Sequence, residues 1–209
     1  LMPAAAGRSF AAELTALHAA LAAPRRPLGA VVGGAKVSSK LALLENLVTK
    51  VDGLILGGGM ANTFLLAQDV AIGASLAEPD MVETARTIMA TAKANNCRMI
   101  LPTDLVVATA FAAKAPHRVT NGSDIAADEM ILDAGPQSVA TVTAFLGECQ
   151  TIVWNGPMGA FELTPFDAAT NAIAGAVARL TQDQQVMSVA GGGDTMAALA
   201  NAGVNDHFS

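Results

Sequence analysis

Four short apolar segments of this chain each end in a glycine-rich turn, and a stretch with helical spacing follows each turn. The segments are residues 28–32, 54–56, 151–154 and 186–190. Short apolar strands that alternate with longer helical stretches are typical of a parallel sheet covered on both faces. The sequence therefore predicts an α/β fold: a Rossmann-like three-layer domain with a mostly parallel sheet and helices on both faces.

The remaining elements are predicted from the spacing of apolar residues. Helices are expected at residues 10–22 and 81–95. Three more are expected to begin near Met60, after Pro165 and after Asp194. A further helix is expected along the apolar stripe formed by Val37, Leu41, Leu44 and Val48. Residues 98–101 are predicted as a strand. Residues 102–133 are irregular, and Asn121-Gly122 is a turn signal that favours an inserted hairpin. Without an internal repeat or a linker, residues 1–209 are predicted to form a single domain.

Composition excludes several classes of protein. Hydrophobic residues make up 52% of the chain and charged residues 14%, which argues against disorder. No apolar run approaches the ~20 residues of a membrane helix, so we expect a soluble, cytoplasmic protein without a membrane partner. A net charge of -6 without a basic stripe argues against nucleic-acid binding. Cys97 and Cys149 have no CxxC spacing and no adjacent histidine cluster and are expected to be buried, reduced thiols, with a disulfide or a metal site as the minor alternative.

The turn after residues 28–32 carries two lysines, Lys36 and Lys40, four positions apart. At a helix start their ammonium groups would share one face, where the helix dipole disfavours cations. A bound phosphate would offset both the mutual repulsion and the dipole. Two solvated lysines on an exposed turn are the alternative, and the P-loop pattern is absent.

The turn at residues 191–195 reads GGGDT. Asp194 has two interpretations: a cap of the helix that follows, or a ligand of the Mg²⁺ that accompanies nucleotide phosphates. The hydroxyl of Thr195 is a candidate donor to a phosphate oxygen. Alone, this motif does not decide between the interpretations.

The turn at residues 154–162 reads WNGPMGAFE. Its apolar residues suit the walls of a base pocket, and its carboxylate, Glu162, suits the hydroxyls of a ribose. The alternative is an irregular loop whose Trp154 and Phe161 only fill the core; Trp154 is expected in the core in either case.

Taken in order, these motifs resemble the phosphoglycerate kinase family across nearly the whole chain. The matching stretches are GGAKVSSK at 33–40, LGGGMANTF at 56–64, IGASL at 72–76, LPTD at 101–104, LDAGP at 132–136, WNGPMGAFE at 154–162 and GGGDT at 191–195. The family is a two-lobed glycolytic kinase that moves a phosphoryl group between 1,3-bisphosphoglycerate and ADP. Residues 1–209 resemble its nucleotide-binding C-terminal lobe.

The resemblance implies roles for individual residues. Lys36 and Lys40 would be catalytic and face the phosphates, with Lys40 close to the group in transfer. Asp194 would hold Mg²⁺, and Glu162 and Asn155 would contact the ribose side of ATP or ADP. The other implied nucleotide contacts are Gly34, Gly58, Gly59, Leu76, Phe111, Pro157, Gly192, Gly193 and Thr195.

Two departures from the family pattern qualify the expected activity. The N-terminal lobe that binds 3-phosphoglycerate or 1,3-bisphosphoglycerate is missing, and the chain ends at residues 204–209, before a glycine-rich phosphate turn; both ends look cut. We expect the chain to bind nucleotide without turnover and to be monomeric. Ala160 also replaces a larger aliphatic residue, which would loosen the base pocket.

Two other functions are weighed against this one. A Rossmann dehydrogenase would carry G-x-G-x-x-G after the first strand, which is absent, and Gly57 stands where an acidic residue would end the second. A nucleotide-binding module without transfer predicts loss of the phosphate-facing lysines, but Lys36 and Lys40 are both present.

Overall fold

The computed structural model describes residues 24–183 and 185–208. Its strands are β1 (Leu28–Val32), β2 (Gly53–Leu56), β3 (Arg98–Ile100), β4 (Leu105–Ala108), β5 (His117–Thr120), β6 (Met130–Ala134), β7 (Thr151–Asn155) and β8 (Met187–Ala190). Its α-helices are α1 (Leu41–Leu47), α2 (Gly58–Ala67), α3 (Val82–Ala94), α4 (Pro136–Glu148), α5 (Ala168–Gln182) and α6 (Gly193–Asn201). The helix predicted at residues 10–22 lies outside the described residues.

Five parallel strands form the main sheet, in the order β3-β2-β1-β7-β8. Alternate residues of β1 enter different cores: Leu28, Ala30 and Val32 pack on one side of the sheet, and Val31 packs on the other. Helices α1, α2 and α3 cover the first side, and α4, α5 and α6 cover the second. The three-layer α/β prediction is confirmed.

The carboxyl ends of four strands lie level with one another. Val32 at the end of β1 pairs with Leu56 of β2 and Asn155 of β7, while Trp154 pairs with Ala190 of β8. The strand order reverses at β1: β2 and β3 are added on one side of β1, and β7 and β8 are added later on the other side. Ligands of open α/β sheets bind in the crevice at such a reversal. The four glycine-rich turns therefore meet where a ligand is expected.

Residues 102–134 form a second, antiparallel sheet in the order β5-β4-β6. The inserted hairpin is present, but its turn is residues 109–116 between β4 and β5. The prediction that Asn121-Gly122 forms the hairpin turn is wrong. These two residues follow β5 on the connection to β6, and β6 pairs with β4, not with β5. Leu105 and Val107 of β4 pack with Leu65 of α2, which places the small sheet beside the crevice.

Candidate functional site

The turns after β1 and β7 pack backbone against backbone. The N–H of Gly33 donates to the carbonyl of Asn155 at 3.0 Å. A Cβ on Gly33 would lie 1.8 Å from the carbonyl oxygen of Pro157, and a Cβ on Gly58 would lie 2.8 Å from that of Gly34. Glycine at position 33 is therefore required by close approach, and position 58 also has a positive φ of 66°.

Lys40 is held at the junction of these turns. Its Nζ donates to the carbonyls of Gly33 at 2.8 Å and Asn155 at 3.0 Å, and to Oδ1 of Asn155 at 2.5 Å. Desolvation lowers the pKa of Lys40, and the charge of Asp194 acts in the opposite direction. The ammonium group is thus half-buried between the ends of β1 and β7. Its positive charge is stabilised by the negative charge of Asp194.

Lys36 is placed differently from the sequence prediction. The two lysines were expected on successive turns of one helix, but a 3₁₀ turn, Ser38–Lys40, precedes α1 and begins after Lys36. Lys36 is exposed, whereas Lys40 is half-buried. The 3₁₀ turn is anchored by Glu78, whose carboxylate accepts the N–H of Ser38 at 3.0 Å and its hydroxyl at 2.5 Å.

The side chains of Asn155 and Thr195 join the turn after β7 to the GGGDT turn. Nδ2 of Asn155 donates to the carbonyl of Gly191 at 2.9 Å. The hydroxyl of Thr195 donates to the same carbonyl at 2.7 Å and accepts the N–H of Gly156 at 2.7 Å.

The sequence predicts that both residues contact the nucleotide, with Asn155 on the ribose side together with Glu162, and these assignments stay predictions. Within the protein, the amide oxygen of Asn155 accepts a hydrogen bond from the ammonium group of Lys40. The hydroxyl of Thr195 donates to the carbonyl of Gly191, and its backbone N–H, in the first turn of α6, is a second candidate contact to a phosphate.

Asp194 occupies the first turn of α6, next to Gly193 and after Gly192, the N-cap residue, whose φ is 97°. The N-cap residue is Gly192, and Asp194 lies inside the helix, so Asp194 is not the N-cap that the capping interpretation requires. Its side chain is exposed. The first N–H groups of any α-helix lack intrahelical partners and favour anions. Asp194 is therefore free to hold a cation beside an anion-binding helix start.

A cavity of about 240 Å³ opens beside these turns. It gathers eight residues assigned from the sequence: Gly34, Gly58, Gly59, Leu76, Phe111, Pro157, Glu162 and Asp194. Leu76 and Phe111 are 54% and 63% exposed, unusual for large apolar side chains. An elongated ligand with an apolar, flat end and an anionic end suits a cavity with apolar walls and the lysine–aspartate pair alongside.

Part of the cavity wall is not assigned from the sequence: Asn62, Leu105 of β4 and residues 130–134 of β6 line it. Met158 and Phe161 also line it, from the turn whose apolar residues are predicted to form the walls of a base pocket. Leu105 and residues 130–134 lie far apart in the chain, and the pairing of β4 with β6 brings them together. The position of the small sheet was the missing information.

Asp133 also lines the cavity, although the LDAGP motif gave it no role. Its side chain is 2% exposed, and its two oxygens accept the N–H groups of Ala134 and Ala169, each at 2.9 Å. Burial raises the pKa of Asp133 from 3.8 to about 7, and the negative charge of Asp167 also raises it. Hydrogen bonds from backbone N–H groups, including those at the start of α5, lower this pKa and so oppose the rise.

This raised pKa predicts a pH-dependent stability. Because the folded state holds the proton of Asp133 more tightly than the unfolded state, its stabilising contribution is complete below the unfolded pKa of 3.8 and is lost as pH rises to about 7. We expect the free energy of unfolding to fall by about 2–3 kcal/mol from this group between pH 5 and 8. Urea unfolding at both pH values measures the fall. Asp133→Asn is expected to remove it, and an equal fall in that variant would contradict the assignment.

The thiols and the metal-ligating residues give simpler results. Cys97 and Cys149 are buried free cysteines, as predicted, and burial raises their pKa values to about 11 and 12.

Among residues 24–183 and 185–208, no group of three or more His, Cys, Asp or Glu side chains is arranged to hold a metal ion. Within the same residues, no helix has the length and apolarity needed to cross a membrane.

Comparison with known proteins identifies the family. A family model described as phosphoglycerate kinase matches residues 1–209. The chain belongs to the phosphoglycerate kinase family. Phosphoglycerate kinase from Rhodospirillum centenum is 60% identical over 209 residues, and that from Azorhizobium caulinodans is 60% identical over 208 residues. These alignments cover 100% of the chain but 53% and 52% of the relatives.

Solved structures give the same family. Phosphoglycerate kinase from Coxiella burnetii matches with a TM-score of 0.90 and 44% identity, over 96% of this chain and 50% of that one. The enzyme from Pyrococcus horikoshii matches with a TM-score of 0.75 and 28% identity, over 91% of this chain and 48% of that one. The chain thus spans about half the length of the relatives that it matches.

Proposed function

We propose that this chain is the nucleotide-binding half of a phosphoglycerate kinase, which transfers a phosphoryl group from 1,3-bisphosphoglycerate to MgADP and yields 3-phosphoglycerate and ATP. Residues 1–209 form the nucleotide-binding domain. The observation that carries the proposal is the meeting of Lys40, Asp194 and the apolar cavity at one edge of the sheet. Family membership supports it.

The nucleotide is proposed to lie along the crevice. Its base enters the cavity between the glycines at 34, 58 and 59 and the side chains of Leu76 and Phe111. The ribose hydroxyls donate to Glu162 at the exposed rim. The phosphates lie at the start of α6, against Gly192, Gly193 and Thr195, and reach the N–H groups of Gly193 and Thr195. Pro157 closes the wall between the two ends.

In the transfer step the bond from phosphorus to the acyl oxygen of 1,3-bisphosphoglycerate breaks, and a bond forms to a β-phosphate oxygen of ADP. The carboxylate of 3-phosphoglycerate leaves, and no proton transfer or redox change is needed. The protein contributes alignment and charge neutralisation. Lys40 supplies a desolvated positive charge, which acts more strongly than a hydrated one, and exposed Lys36 supplies a second.

Asp194 suits Mg²⁺, because Mg²⁺ bound to nucleotides takes one or two carboxylates from the protein and fills its other positions with phosphate oxygens and water. The exposed carboxylate of Asp194 offers one such ligand. When bound, Mg²⁺ neutralises charge on the phosphates. Asp194 holds the metal side of the site, opposite the ammonium group of Lys40.

The finer properties of the proposal follow the family. In the direction of ATP synthesis the phosphoryl donor is an acyl phosphate, and in the reverse direction the acceptor is a carboxyl group. Both are proposed to bind to a second lobe, so these 209 residues alone bind MgADP or MgATP without turnover. Cytoplasmic location, a monomeric state and the absence of nucleic-acid partners stay predictions.

Isothermal calorimetry of the 209-residue chain tests the proposal. We expect MgADP to bind with a dissociation constant of about 1 mM or below, in the usual range for enzyme substrates. NAD⁺ is the matched control, since a dinucleotide would bind a dehydrogenase domain. No heat from MgADP at millimolar concentration contradicts the binding proposal, and measurable transferase activity contradicts the proposed lack of turnover.

A further inference from the structure

Asp133 connects three elements around the cavity. It lies on β6, and its Oδ2 accepts the N–H of Ala169 at the start of α5 at 2.9 Å. Its Oδ1 accepts the N–H of Ala134. Asp167, the N-cap residue of α5, makes no side-chain cap, so the carboxylate from the neighbouring sheet serves the start of this helix.

The third element is the cavity wall at residues 158–160. A Cβ on Gly159 would lie 2.2 Å from Oδ1 of Asp133 and 2.7 Å from the carbonyl oxygen of Phe166. The wall is fixed on both sides of this contact: the N–H of Ala160 donates to the carbonyl of Leu132 at 2.8 Å, and the N–H of Met158 donates to the buried hydroxyl of Thr170 at 3.0 Å. The carboxylate is thus a spacer that sets how far the wall stands from β6.

The chemistry of the carboxylate matters as well as its size. Both of its oxygens face N–H donors. An asparagine of the same shape places an NH₂ group against one of these donors, which removes a hydrogen bond and leaves a buried N–H without an acceptor. The wall or the start of α5 has to shift in response.

We propose that Asp133 is a positioning residue that sets the width of the base end of the nucleotide cavity, through Gly159 and the start of α5. This inference rests on the proposed function, because it assigns the cavity to the base of a nucleotide. It concerns the base end only, and the phosphate end at Lys40 and Asp194 is held by other contacts.

Asp104 offers a matched control. It is also buried, at 4% exposed, and its oxygens accept the N–H groups of Gln137 and Ser138 at the start of α4. A glycine packs on it too, since a Cβ on Gly135 would lie 2.3 Å from its Oδ2. Neither Asp104 nor Gly135 lines the cavity. Asp104→Asn therefore repeats the local change at a helix start without touching the base end.

The test measures two ligands by calorimetry on the full chain at pH 8, at which Asp133 is the ionised carboxylate whose two oxygens accept N–H groups. The ligands are MgADP, and Mg-tripolyphosphate, which has no base. We expect Asp133→Asn to weaken MgADP binding about tenfold and to leave tripolyphosphate binding within about twofold. Asp104→Asn should leave both within about twofold. Equal loss of both ligands in Asp133→Asn, or equal loss of MgADP in the two variants, would overturn the inference.

A second pair of variants decides the case if Asp133→Asn does not fold. Gly159→Ala is expected to weaken MgADP alone, and adding Asp133→Ala, which makes room for the new methyl group, should restore part of the affinity. Unchanged MgADP affinity in Gly159→Ala would overturn the inference by itself. Failure of the unsubstituted chain to bind MgADP would overturn the proposed function, and this inference with it.

Discussion

Replacing Lys40 with alanine in the complete kinase that we propose is expected to lower kcat by about 10²- to 10³-fold, as for other groups that stabilise charge in a transition state. The ammonium group is half-buried between Gly33 and Asn155, so its field is weakly screened where the phosphoryl group passes. Ground-state nucleotide binding retains the cavity and the start of α6. We therefore expect the dissociation constant of MgADP to rise only a few-fold. Steady-state kinetics and calorimetry on the same variant separate the two effects.

Two controls accompany this variant. Lys93→Ala removes an exposed charge from the end of α3 and should leave both quantities unchanged. Lys36→Ala removes the exposed lysine of the site, and its effect on kcat should be smaller than that of Lys40→Ala because water screens its charge. If Lys40→Ala reduced turnover and nucleotide affinity by the same factor, a binding module without transfer would describe the chain better.

Replacing Gly33 with alanine is expected to disrupt the junction of the turns. The new methyl group would lie 1.8 Å from the carbonyl oxygen of Pro157 and 2.9 Å from that of Gly156, and backbone cannot yield as a side chain can. Separating the turns also displaces the carbonyl of Gly33 from Lys40. We expect the free energy of unfolding to fall by about 1–3 kcal/mol, as for other overpacked sites, and MgADP affinity to fall at least about tenfold.

Gly147→Ala is the matched control for this substitution. Gly147 lies near the end of α4, and a Cβ there meets nothing within 4 Å. Alanine should be neutral or raise the free energy of unfolding by about 0.5–1 kcal/mol, because it favours a helix over the unfolded chain. Urea unfolding and calorimetry compare the variants. Equal stability and affinity in Gly33→Ala and the unsubstituted chain would show that the turns do not touch as described.

The parallel sheet and the edge that carries the site could be predicted from the sequence, because both are local patterns. Each apolar strand is followed by its own glycine turn, and parallel strands place all such turns together. Residues 28–32 were predicted as a strand, and β1 has the same bounds. The motif residues at 34, 58, 59 and 194 therefore meet in one cavity.

What the sequence could not predict depends on contacts between distant segments. The hydrogen bond between the ammonium group of Lys40 and the amide of Asn155 joins residues 115 positions apart, so no local motif indicates it. The contacts of Asp133 with the start of α5 and with Gly159 likewise join segments that are distant in the chain. The different exposure of Lys36 and Lys40 follows from a 3₁₀ turn that apolar spacing does not distinguish from the first turn of an α-helix.

A crystal structure of the chain with MgADP would test the central claim most directly. We expect the base between Leu76 and Phe111, the phosphates within hydrogen-bond reach of Lys36 or Lys40, and the metal on the carboxylate of Asp194. Nucleotide density with its phosphate tail directed away from these three side chains would contradict it.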